Sequence, residues 1–220
     1  MAKNFDGKVA LITGAARGIG AGVAKGFAAR GGKVALVGLE PEELQKVVAE
    51  IGDAAAWWEA DVRDNDAVHL AVDAAAAHFG RIDYVLANAG IASYGTVRQI
   101  DNDSFERVVD ININGVYRTL HATIPYLEMT KGYALVVASL SSFTPLAGMP
   151  YYNASKACSA SLAITTKQEV AHMCISFGVC DTSWLDTDIV RTTKADIPSF
   201  SGIRYSLHYP ATRRNTSDHL

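Results

Sequence analysis

The sequence is poor in several features that would point to particular classes of protein. Its 220 residues contain three cysteines without a CxxC pair, so neither a disulfide framework nor a structural zinc site is predicted. Six histidines show no HExxH or similar ligand spacing, and we predict no metal. No run reaches the roughly 18 apolar residues of a membrane span, and the N-terminus MAKNFDGK has no apolar signal segment. We therefore expect a cytoplasmic protein without a membrane partner.

An excess of charge of one sign is missing too. Twenty Lys and Arg stand against 23 Asp and Glu, a formal net charge of −3, and the two signs are interleaved. This balance argues against a nucleic-acid partner and favours a small molecule. Hydrophobic residues make up 49% of the chain, and no linker-like stretch divides it. We expect one globular domain.

Short apolar runs alternate with helical patterns along the chain. The predicted strands cover residues 9–13, 33–37, 54–60, 82–87, 133–139 and 175–181. Helical patterns separate them, including one long helix from about Asp103 and another over about 150–172. This alternation, with nearly continuous apolar strands, is typical of a parallel sheet with helices on both faces. The prediction is a Rossmann-like, doubly wound α/β fold.

A glycine-rich turn joins the first strand to its helix. It comprises Thr13, Gly14, Ala15, Ala16, Arg17, Gly18, Ile19 and Gly20. Glycines let the backbone approach a pyrophosphate closely, and the free N–H groups and dipole of a helix N-terminus attract its charge. A tight strand-to-helix connection needs glycine anyway, so the turn alone would be weak support for a dinucleotide site.

Further polar residues follow the other predicted strands. They are Gly38 to Glu40, Asp61, Asn88 to Gly90, Ser139, and Thr182 to Thr187. In an open parallel sheet, ligands bind beyond the carboxyl ends of the strands. The clustering at that edge therefore supports a ligand site next to the glycine turn.

Tyr152 and Lys156 are four positions apart in a predicted helix, so both side chains lie on one face. A nearby ammonium stabilises phenolate and is expected to lower the pKa of the phenol from about 10 toward working pH. The neighbouring Tyr151 has Ser155 at the same spacing and lacks a cationic partner. Taken alone, the spacing is also compatible with an ordinary surface pair.

Taken together, these motifs resemble the short-chain dehydrogenase/reductase family, in which TGxxxGxG, NAG, a serine after the fifth strand and YxxxK occur in this order. The resemblance spans about residues 7–187. It implies that Tyr152 moves the substrate proton, that Lys156 tunes it and holds the nicotinamide ribose, and that Ser139 orients the substrate oxygen. Ser141 and Ser142 are interpreted as loop residues.

Asn112 is the fourth catalytic residue that the resemblance implies. Its amide falls on the otherwise apolar stripe that Phe105 and Val108 share, so it needs hydrogen-bond partners. The family role is to hold a water that relays protons to Lys156. An amide satisfied by backbone groups at a helix irregularity is an equally good interpretation from the sequence.

The resemblance also implies contacts to the rest of the dinucleotide. The implied residues are Asp61 and Val62 at the adenine, Asn88, Ala89 and Gly90 beneath the cofactor, and Leu185 and Thr187 near the nicotinamide.

The preference between NAD and NADP stays open in the sequence. Gly38 and Leu39 stand where the family carries its discriminating residues. Arg17 could meet a 2′-phosphate, whereas Glu40 could accept ribose hydroxyls and repel that phosphate.

The end of the chain departs from the family pattern. The usual proline-glycine after the sixth strand is Thr182-Ser183, and no closing strand or helix is recognisable near the C-terminus. We therefore predict a dinucleotide-binding and catalytic domain over residues 1–187, and a substrate-loop region with a divergent or truncated tail over 188–220.

The predicted function is that of an NAD(P)-dependent alcohol dehydrogenase or ketoreductase. An apolar rim indicates a hydrophobic or cyclic substrate, although its members could equally be core; they are Ile91, Tyr94, Phe143, Leu146, Met149, Trp184 and Leu185. A homodimer or homotetramer is expected by resemblance. The alternative is a dinucleotide-binding sensor or scaffold without catalysis.

Overall fold

A computed structural model describes residues 4–182 of the chain. Its strands are β1 Val9–Thr13, β2 Lys33–Gly38, β3 Ala55–Glu59, β4 Tyr84–Ala87, β5 Tyr133–Ser139 and β6 Ser176–Thr182. Its α-helices are α1 Gly18–Ala28, α2 Pro41–Ile51, α3 Asn65–Phe79, α4 Asn102–Val109, α5 Gly115–Thr130 and α6 Pro150–Glu169. The limits of β1 and β5 are the predicted ones, and the other strands differ from prediction by one or two residues.

The strands of residues 4–182 form one parallel sheet in the order β3-β2-β1-β4-β5-β6. The chain builds outward from β1 to β3 and then returns to the other side of β1. The order therefore reverses between β1 and β4, and the crevice beyond the carboxyl ends of these two strands is where such sheets bind ligands. This arrangement confirms the doubly wound α/β prediction.

Both faces of the sheet are covered. Leu11 and Ile12 are adjacent in β1, are fully buried, and belong to two separate apolar clusters. Leu11 packs with residues of α3 and α5, whereas Ile12 packs with residues of α1 and α2. Because successive side chains of a strand point to opposite faces, a sheet covered twice needs apolar residues at every position.

The single helix predicted from about Asp103 is interrupted. Between α4 and α5 the residues Asp110–Asn114 form one π-helical turn, with Asn112 in its middle. Directly after it, Gly115 packs against Val62, and a Cβ atom at that glycine would lie 2.7 Å from Val62 Cγ2. The π turn thus ends where the helix backbone packs closely against the Val62 side chain, in the loop after β3.

The apolar stripe that Phe105 and Val108 share predicts the inward face of the helix, and for Phe105 this prediction is wrong. Its side chain is 39% exposed, and its ring packs against Tyr151 of α6 with a centroid distance of 4.7 Å. Val108, one turn further on, is fully buried as predicted. The buried stripe therefore begins at Val108.

All of the described residues, 4–182, belong to one compact unit. Leu185, Thr187, Trp184 and the predicted region 188–220 lie outside the described residues, so those predictions stay untested. Within residues 4–182, no helix has the length and apolar character that crossing a membrane requires. Across the same residues, no three His, Cys, Asp or Glu side chains are grouped as metal ligands.

Candidate active site

Hydrogen bonds from the β4 end fix the glycine turn in place. The Asn88 side-chain amide donates to the carbonyl oxygens of Thr13 (3.0 Å) and Gly14 (3.1 Å). The Thr13 hydroxyl oxygen in turn accepts from the backbone N–H groups of Asn88 (3.1 Å) and Ala89 (3.3 Å). Asn88 therefore holds the glycine turn in place. This is a role in addition to the predicted one of lining the cofactor site.

The turn can accommodate a pyrophosphate. Gly14 and Gly18 have φ values of 64° and 55°, a region that favours glycine. A Cβ atom at Gly14 would lie 2.8 Å from Ala89 Cα, and one at Gly20 would lie 2.5 Å from the Gly14 carbonyl oxygen. Arg17 caps α1 without a side-chain hydrogen bond to the first turn, so those N–H groups are open to an anion. The residues present fit the dinucleotide that the sequence predicts.

The two residues with opposite implications for cofactor preference contact each other. Arg17 Nη2 lies 3.1 Å from Glu40 Oε1, and both side chains are about half exposed. Gly38 ends β2, where a Cβ atom would meet only ordinary contacts, and the neighbouring Leu39 is 47% exposed. The ion pair partly neutralises the Arg17 guanidinium, which would attract a 2′-phosphate, and the Glu40 carboxylate, which would repel it.

Asp61 and Val62 follow β3, as predicted. Arg63 donates to Asp61 through its side chain and its backbone N–H, and the side-chain bond is the main reason that the pKa of Asp61 is lowered. Val62 is buried and contacts Gly115, while its carbonyl oxygen accepts from Arg118 at 3.2 Å. The Val62 side chain is therefore part of the core, and its backbone is the part near the sheet edge.

The structure brings Ser139 and Tyr152 together across the carboxyl end of β5. Ser139 Oγ accepts from the backbone N–H of Ser141 at 3.2 Å, so its own proton is directed elsewhere. A hydrogen bond between the side chains of Ser139 and Tyr152 favours the phenolate. Two hydroxyl groups thus converge at one point next to the predicted nicotinamide position.

The predicted direction of the Tyr152 pKa shift is wrong for this structure. Burial raises the pKa of the phenol, and the hydrogen bond with Ser139 only partly opposes that shift. The Lys156 ammonium lies 5.9 Å from the centroid of the Tyr152 ring and donates instead to the Val137 carbonyl oxygen at 2.8 Å. Burial therefore sets the direction of the shift, and Lys156 is not among its causes.

Lys156 is itself buried, with 5% of its surface exposed. Burial lowers its pKa from 10.5 to about 8, which leaves it mostly protonated at neutral pH. An ammonium has three donors, and within residues 4–182 its hydrogen bond to Val137 uses one of them. Two donors remain for groups that enter the crevice.

Asn112 and Lys156 both approach Gly90. A Cβ atom at Gly90 would be 3.3 Å from Asn112 Oδ1 and 3.3 Å from Lys156 Nζ. Any larger residue there would push against both side chains. The NAG motif therefore supplies the space in which these two predicted catalytic residues approach each other.

The Asn112 amide is fully buried and satisfied by its neighbours. Its Oδ1 accepts from the Ile91 N–H at 2.8 Å, and its Nδ2 donates to the Ile91 carbonyl oxygen and to Ser155 Oγ, both at 2.9 Å. The structure therefore agrees with the interpretation that the Asn112 amide is satisfied by backbone groups at a helix irregularity. The water relay to Lys156 stays a prediction.

Two serines of α6 complete this network and were missed in the sequence. Ser155 Oγ donates to the Tyr152 carbonyl oxygen at 2.9 Å, and Ser159 Oγ contacts the Asn112 carbonyl oxygen at 2.6 Å. Both serines are buried. Their spacing of four residues on the face next to Lys156 was the available signal, because buried hydroxyls on one helix face need partners on the next helix.

Comparison with known proteins identifies the family. The profile of the short chain dehydrogenase family matches residues 8–198. Versicolorin reductase of Emericella nidulans is 40% identical over 159 residues, which cover 69% of this chain and 59% of that protein.

Two solved structures are similar over most of the chain. A 3-ketoacyl-(acyl-carrier-protein) reductase from Brucella melitensis, complexed with NADH, has a TM-score of 0.83 and 33% identity and covers 86% of this chain and 80% of its own. An alcohol dehydrogenase from Thermococcus sibiricus, complexed with 5-hydroxy-NADP, has a TM-score of 0.80 and 29% identity, with coverages of 83% and 79%.

The chain belongs to the short-chain dehydrogenase family and is an oxidoreductase of that type.

Proposed function

We propose that this chain catalyses the reversible interconversion of a secondary alcohol and its ketone with NAD or NADP, and that Tyr152 is the acid/base. The observation that carries the proposal is the convergence of Ser139 and Tyr152 next to a buried lysine at the carboxyl edge of the sheet. A protein that only binds a dinucleotide has no use for a phenol placed in this way.

In the direction of reduction, Tyr152 acts as a general acid. Because burial raises its pKa, the phenol keeps its proton at neutral pH and can donate it to a carbonyl oxygen. Ser139 donates to the same oxygen, since its own Oγ already accepts from Ser141. The two donors orient the carbonyl and stabilise the negative charge that develops on it.

In the direction of oxidation, Tyr152 must first lose its proton. The raised pKa means that little phenolate exists at neutral pH and that its share grows as pH rises. Alcohol oxidation should therefore accelerate toward alkaline pH, whereas ketone reduction should be fastest near neutral pH. A positively charged Lys156 nearby favours the deprotonated state.

Several groups of this chain would hold the dinucleotide. The uncapped first turn of α1 and the glycines Gly14 and Gly20 would take the pyrophosphate, and the two remaining donors of Lys156 would take ribose hydroxyls. When bound, the nicotinamide supplies or accepts the hydride. The related structures contain NADH in one case and 5-hydroxy-NADP in the other, which leaves both cofactors open for this chain.

We expect the substrate to be mainly apolar. Leu146 and Phe143, on the segment between β5 and α6, are 41% and 68% exposed, as residues of a binding rim would be. Met149 is buried and belongs to the start of α6 instead. The related structure of an alcohol dehydrogenase is consistent with an alcohol as substrate.

A panel of secondary alcohols and ketones, assayed with each dinucleotide by the absorbance of reduced nicotinamide, tests the proposal. Turnover of at least one pair is expected. If NAD or NADP binds in a fluorescence titration but no member of a broad panel reacts, the alternative of a sensor or scaffold replaces the enzyme. That alternative is not favoured, because the chain belongs to a family of oxidoreductases.

We also propose a homodimer or homotetramer in the cytoplasm, assembled through the helices that carry Asn112 and Tyr152. Tyr117 on α5 and Ile164 on α6 support this, since both are large apolar side chains that are about half exposed. Light scattering after size-exclusion chromatography measures the oligomer directly. A strictly monomeric species at micromolar concentration would contradict it.

A further inference from the structure

We propose that Arg118 is a positioning residue that joins the adenine end of the dinucleotide site to the π turn that holds Asn112. Through this link, a nucleotide bound at the adenine end stabilises the position of Asn112 beside the catalytic groups. The inference rests on the proposed function, because it concerns the dinucleotide that the same enzyme would use.

The order of the strands places the adenine half of a dinucleotide toward β3. The pyrophosphate site is the glycine turn at the end of β1, whereas Ser139 and Tyr152 meet at the end of β5. In the order β3-β2-β1-β4-β5-β6, the catalytic groups therefore lie on one side of β1. The other half of a ligand that crosses the sheet edge must extend over β2 and β3. There it meets the loop that begins with Asp61 and Val62.

Arg118 bonds to this loop and to the π turn at once. Its Nη1 donates to the Val62 carbonyl oxygen at 3.2 Å and to Asp110 Oδ1 at 2.8 Å. Asp110 is the first residue of the π turn, and Arg118 lies in the first turn of α5. The side chains of Arg118 and Asp110 are only 20% and 36% exposed, so water screens this pair less than a fully exposed one.

The packing beside Arg118 leaves little freedom between the loop and the helix. Gly115 directly follows the π turn, and a Cβ atom there would lie 2.7 Å from Val62 Cγ2. The Val62 side chain is buried. Because a close-packed interior transmits displacements, a shift of the loop at Val62 is passed to the start of α5.

The π turn connects Asp110 to the catalytic half of the site. Asn112 follows Asp110 by two residues, and its Oδ1 accepts from the Ile91 N–H at 2.8 Å. Its Nδ2 donates to Ser155 Oγ of α6 at 2.9 Å. The turn that begins at Asp110 thus presents the Asn112 amide, and Arg118 fixes the start of that turn. The effect of Arg118 on catalysis is therefore indirect.

Binding at one end of the site should consequently be linked to order at the other. A nucleotide half that contacts the loop at Val62 restrains the loop and, through Arg118, the π turn. Linkage between two sites is reciprocal. Loss of Arg118 should therefore weaken nucleotide binding as well as loosen Asn112.

Amide hydrogen exchange at Ile91, measured by NMR, reports the position of Asn112 without any turnover, because the Ile91 N–H donates to Asn112 Oδ1. The rate is divided by that of Leu11, a fully buried residue of β1, to remove effects on global stability. In Arg118→Met, we expect this ratio to rise by about tenfold, the effect of losing one hydrogen bond to a charged group.

ADP then tests the link itself, since it contains the adenosine and the pyrophosphate of a dinucleotide but lacks nicotinamide and its ribose. In the parent, saturating ADP should lower the Ile91 to Leu11 ratio severalfold. In Arg118→Met it should not, and calorimetry should give a severalfold weaker Kd for ADP. Arg118→Lys keeps a charged donor and should restore part of both effects.

Arg81→Met is the matched control. It removes another arginine–aspartate pair, whose Nη2 and Asp83 Oδ1 are 2.6 Å apart, but this pair precedes β4 and lies at the opposite edge of the sheet. The control should lower the free energy of unfolding and leave the effect of ADP on the ratio unchanged.

Three results would overturn the inference. One is an unchanged ratio in Arg118→Met without ligand. Another is an equal effect of ADP in the parent and in Arg118→Met, because ADP would then act on the Ile91 segment directly. The third is a changed oligomeric state of Arg118→Met in light scattering, which would assign Arg118 to assembly.

The inference and the proposed function can fail separately, since neither exchange nor calorimetry requires turnover. If no alcohol or ketone reacts but ADP lowers the ratio only when Arg118 is present, the proposed function fails and the link stands. If ketones react, Arg118→Met should lower kcat and raise KM for the dinucleotide while KM for the ketone changes little. Turnover that is combined with any of the three results above leaves the function standing and removes the link.

Discussion

The cofactor half and the catalytic half of this crevice are built by opposite means. Around β1 and α1 the site depends on missing side chains, because Cβ atoms at Gly14 or Gly20 would collide with backbone. Around α5 and α6 it depends on buried polar side chains, of which Asn112 and Lys156 are examples. The cofactor half is shaped by the space that glycines leave, and the catalytic half by hydrogen bonds between buried groups. Substitutions in the two halves should therefore have different effects on stability, binding and catalysis.

The largest expected effect is on catalysis alone. Tyr152→Phe removes the proton donor but keeps the ring, so kcat should fall by about 10²- to 10⁴-fold while NAD and NADP bind as before. Tyr151→Phe is the matched control, because the hydroxyl of Tyr151 makes a long hydrogen bond of 3.5 Å, at the protein surface, to the Val97 carbonyl oxygen. Steady-state rates and a fluorescence titration check both. Retained turnover would remove Tyr152 from the mechanism.

Lys156→Met should separate activity from stability. Burial lowers the pKa of Lys156 from 10.5 to about 8. Below pH 8 the amine is charged in both the folded and the unfolded state, and its burial then lowers the free energy of unfolding by about 3 kcal/mol. As pH rises from about 8 to 10.5, only the folded state loses the proton, and the free energy of unfolding gains this amount.

The methionine variant lacks both the charge and this pH dependence. We expect its free energy of unfolding at pH 7 to exceed that of the parent by about 1–2 kcal/mol, because the lost hydrogen bond to Val137 offsets part of the gain. Activity should fall by about 10²-fold or more. Urea titrations at pH 7 and pH 10 measure the difference, and a less stable variant at pH 7 would contradict it.

In the cofactor half, Gly20→Ala should damage binding and fold together. Its Cβ atom would lie 2.5 Å from the Gly14 carbonyl oxygen and 2.9 Å from Asn88 Nδ2, so the turn must shift. We expect the free energy of unfolding to drop by about 1–3 kcal/mol and dinucleotide affinity to weaken. Gly22→Ala in the same helix meets no atom within 4 Å and should stabilise by about 0.5–1 kcal/mol without affecting affinity. Equal behaviour of the two variants would refute the steric explanation.

The smallest effect concerns cofactor preference. Glu40→Gln removes the carboxylate paired with Arg17, so the guanidinium becomes more available to a 2′-phosphate. Because the pair is half exposed, we expect the ratio of NADP to NAD affinity to rise by only about fivefold, with stability changed by less than ~1 kcal/mol. Titration with both dinucleotides measures the ratio. An unchanged ratio would show that the pair does not set the preference.

The same contrast explains what could be predicted from the sequence. The strand limits of β1 and β5 and the glycine turn follow from local patterns whose physical requirements admit few residues, whereas the approach of Tyr152 to Ser139 was implied by the family resemblance. The bracing of the turn by Asn88 and the pairing of Arg17 with Glu40 depend on which loops meet in space. Sequence spacing alone does not contain that information.

The catalytic half was harder to predict for a further reason. The direction of the Tyr152 pKa shift depends on burial outweighing the hydrogen bond with Ser139, and that balance is a property of the packed site. The π turn around Asn112 leaves no mark in the hydrophobic pattern, because Val108 and Val116 are buried on either side of it. The Asn112 amide on an otherwise apolar stripe indicated an irregularity in the helix, but it did not indicate a π turn.

The π turn of Asp110–Asn114 makes the length of that segment as important as its composition. A π turn contains one more residue than the α turn it replaces. Deletion of a single residue there would let the helix relax to regular α geometry while α4 and α5 keep their faces, and it would remove the wide turn that carries Asn112 to Ile91. The segment should therefore accept many substitutions at Asn114 but no deletion, a pattern that deep scanning of single-residue deletions would reveal.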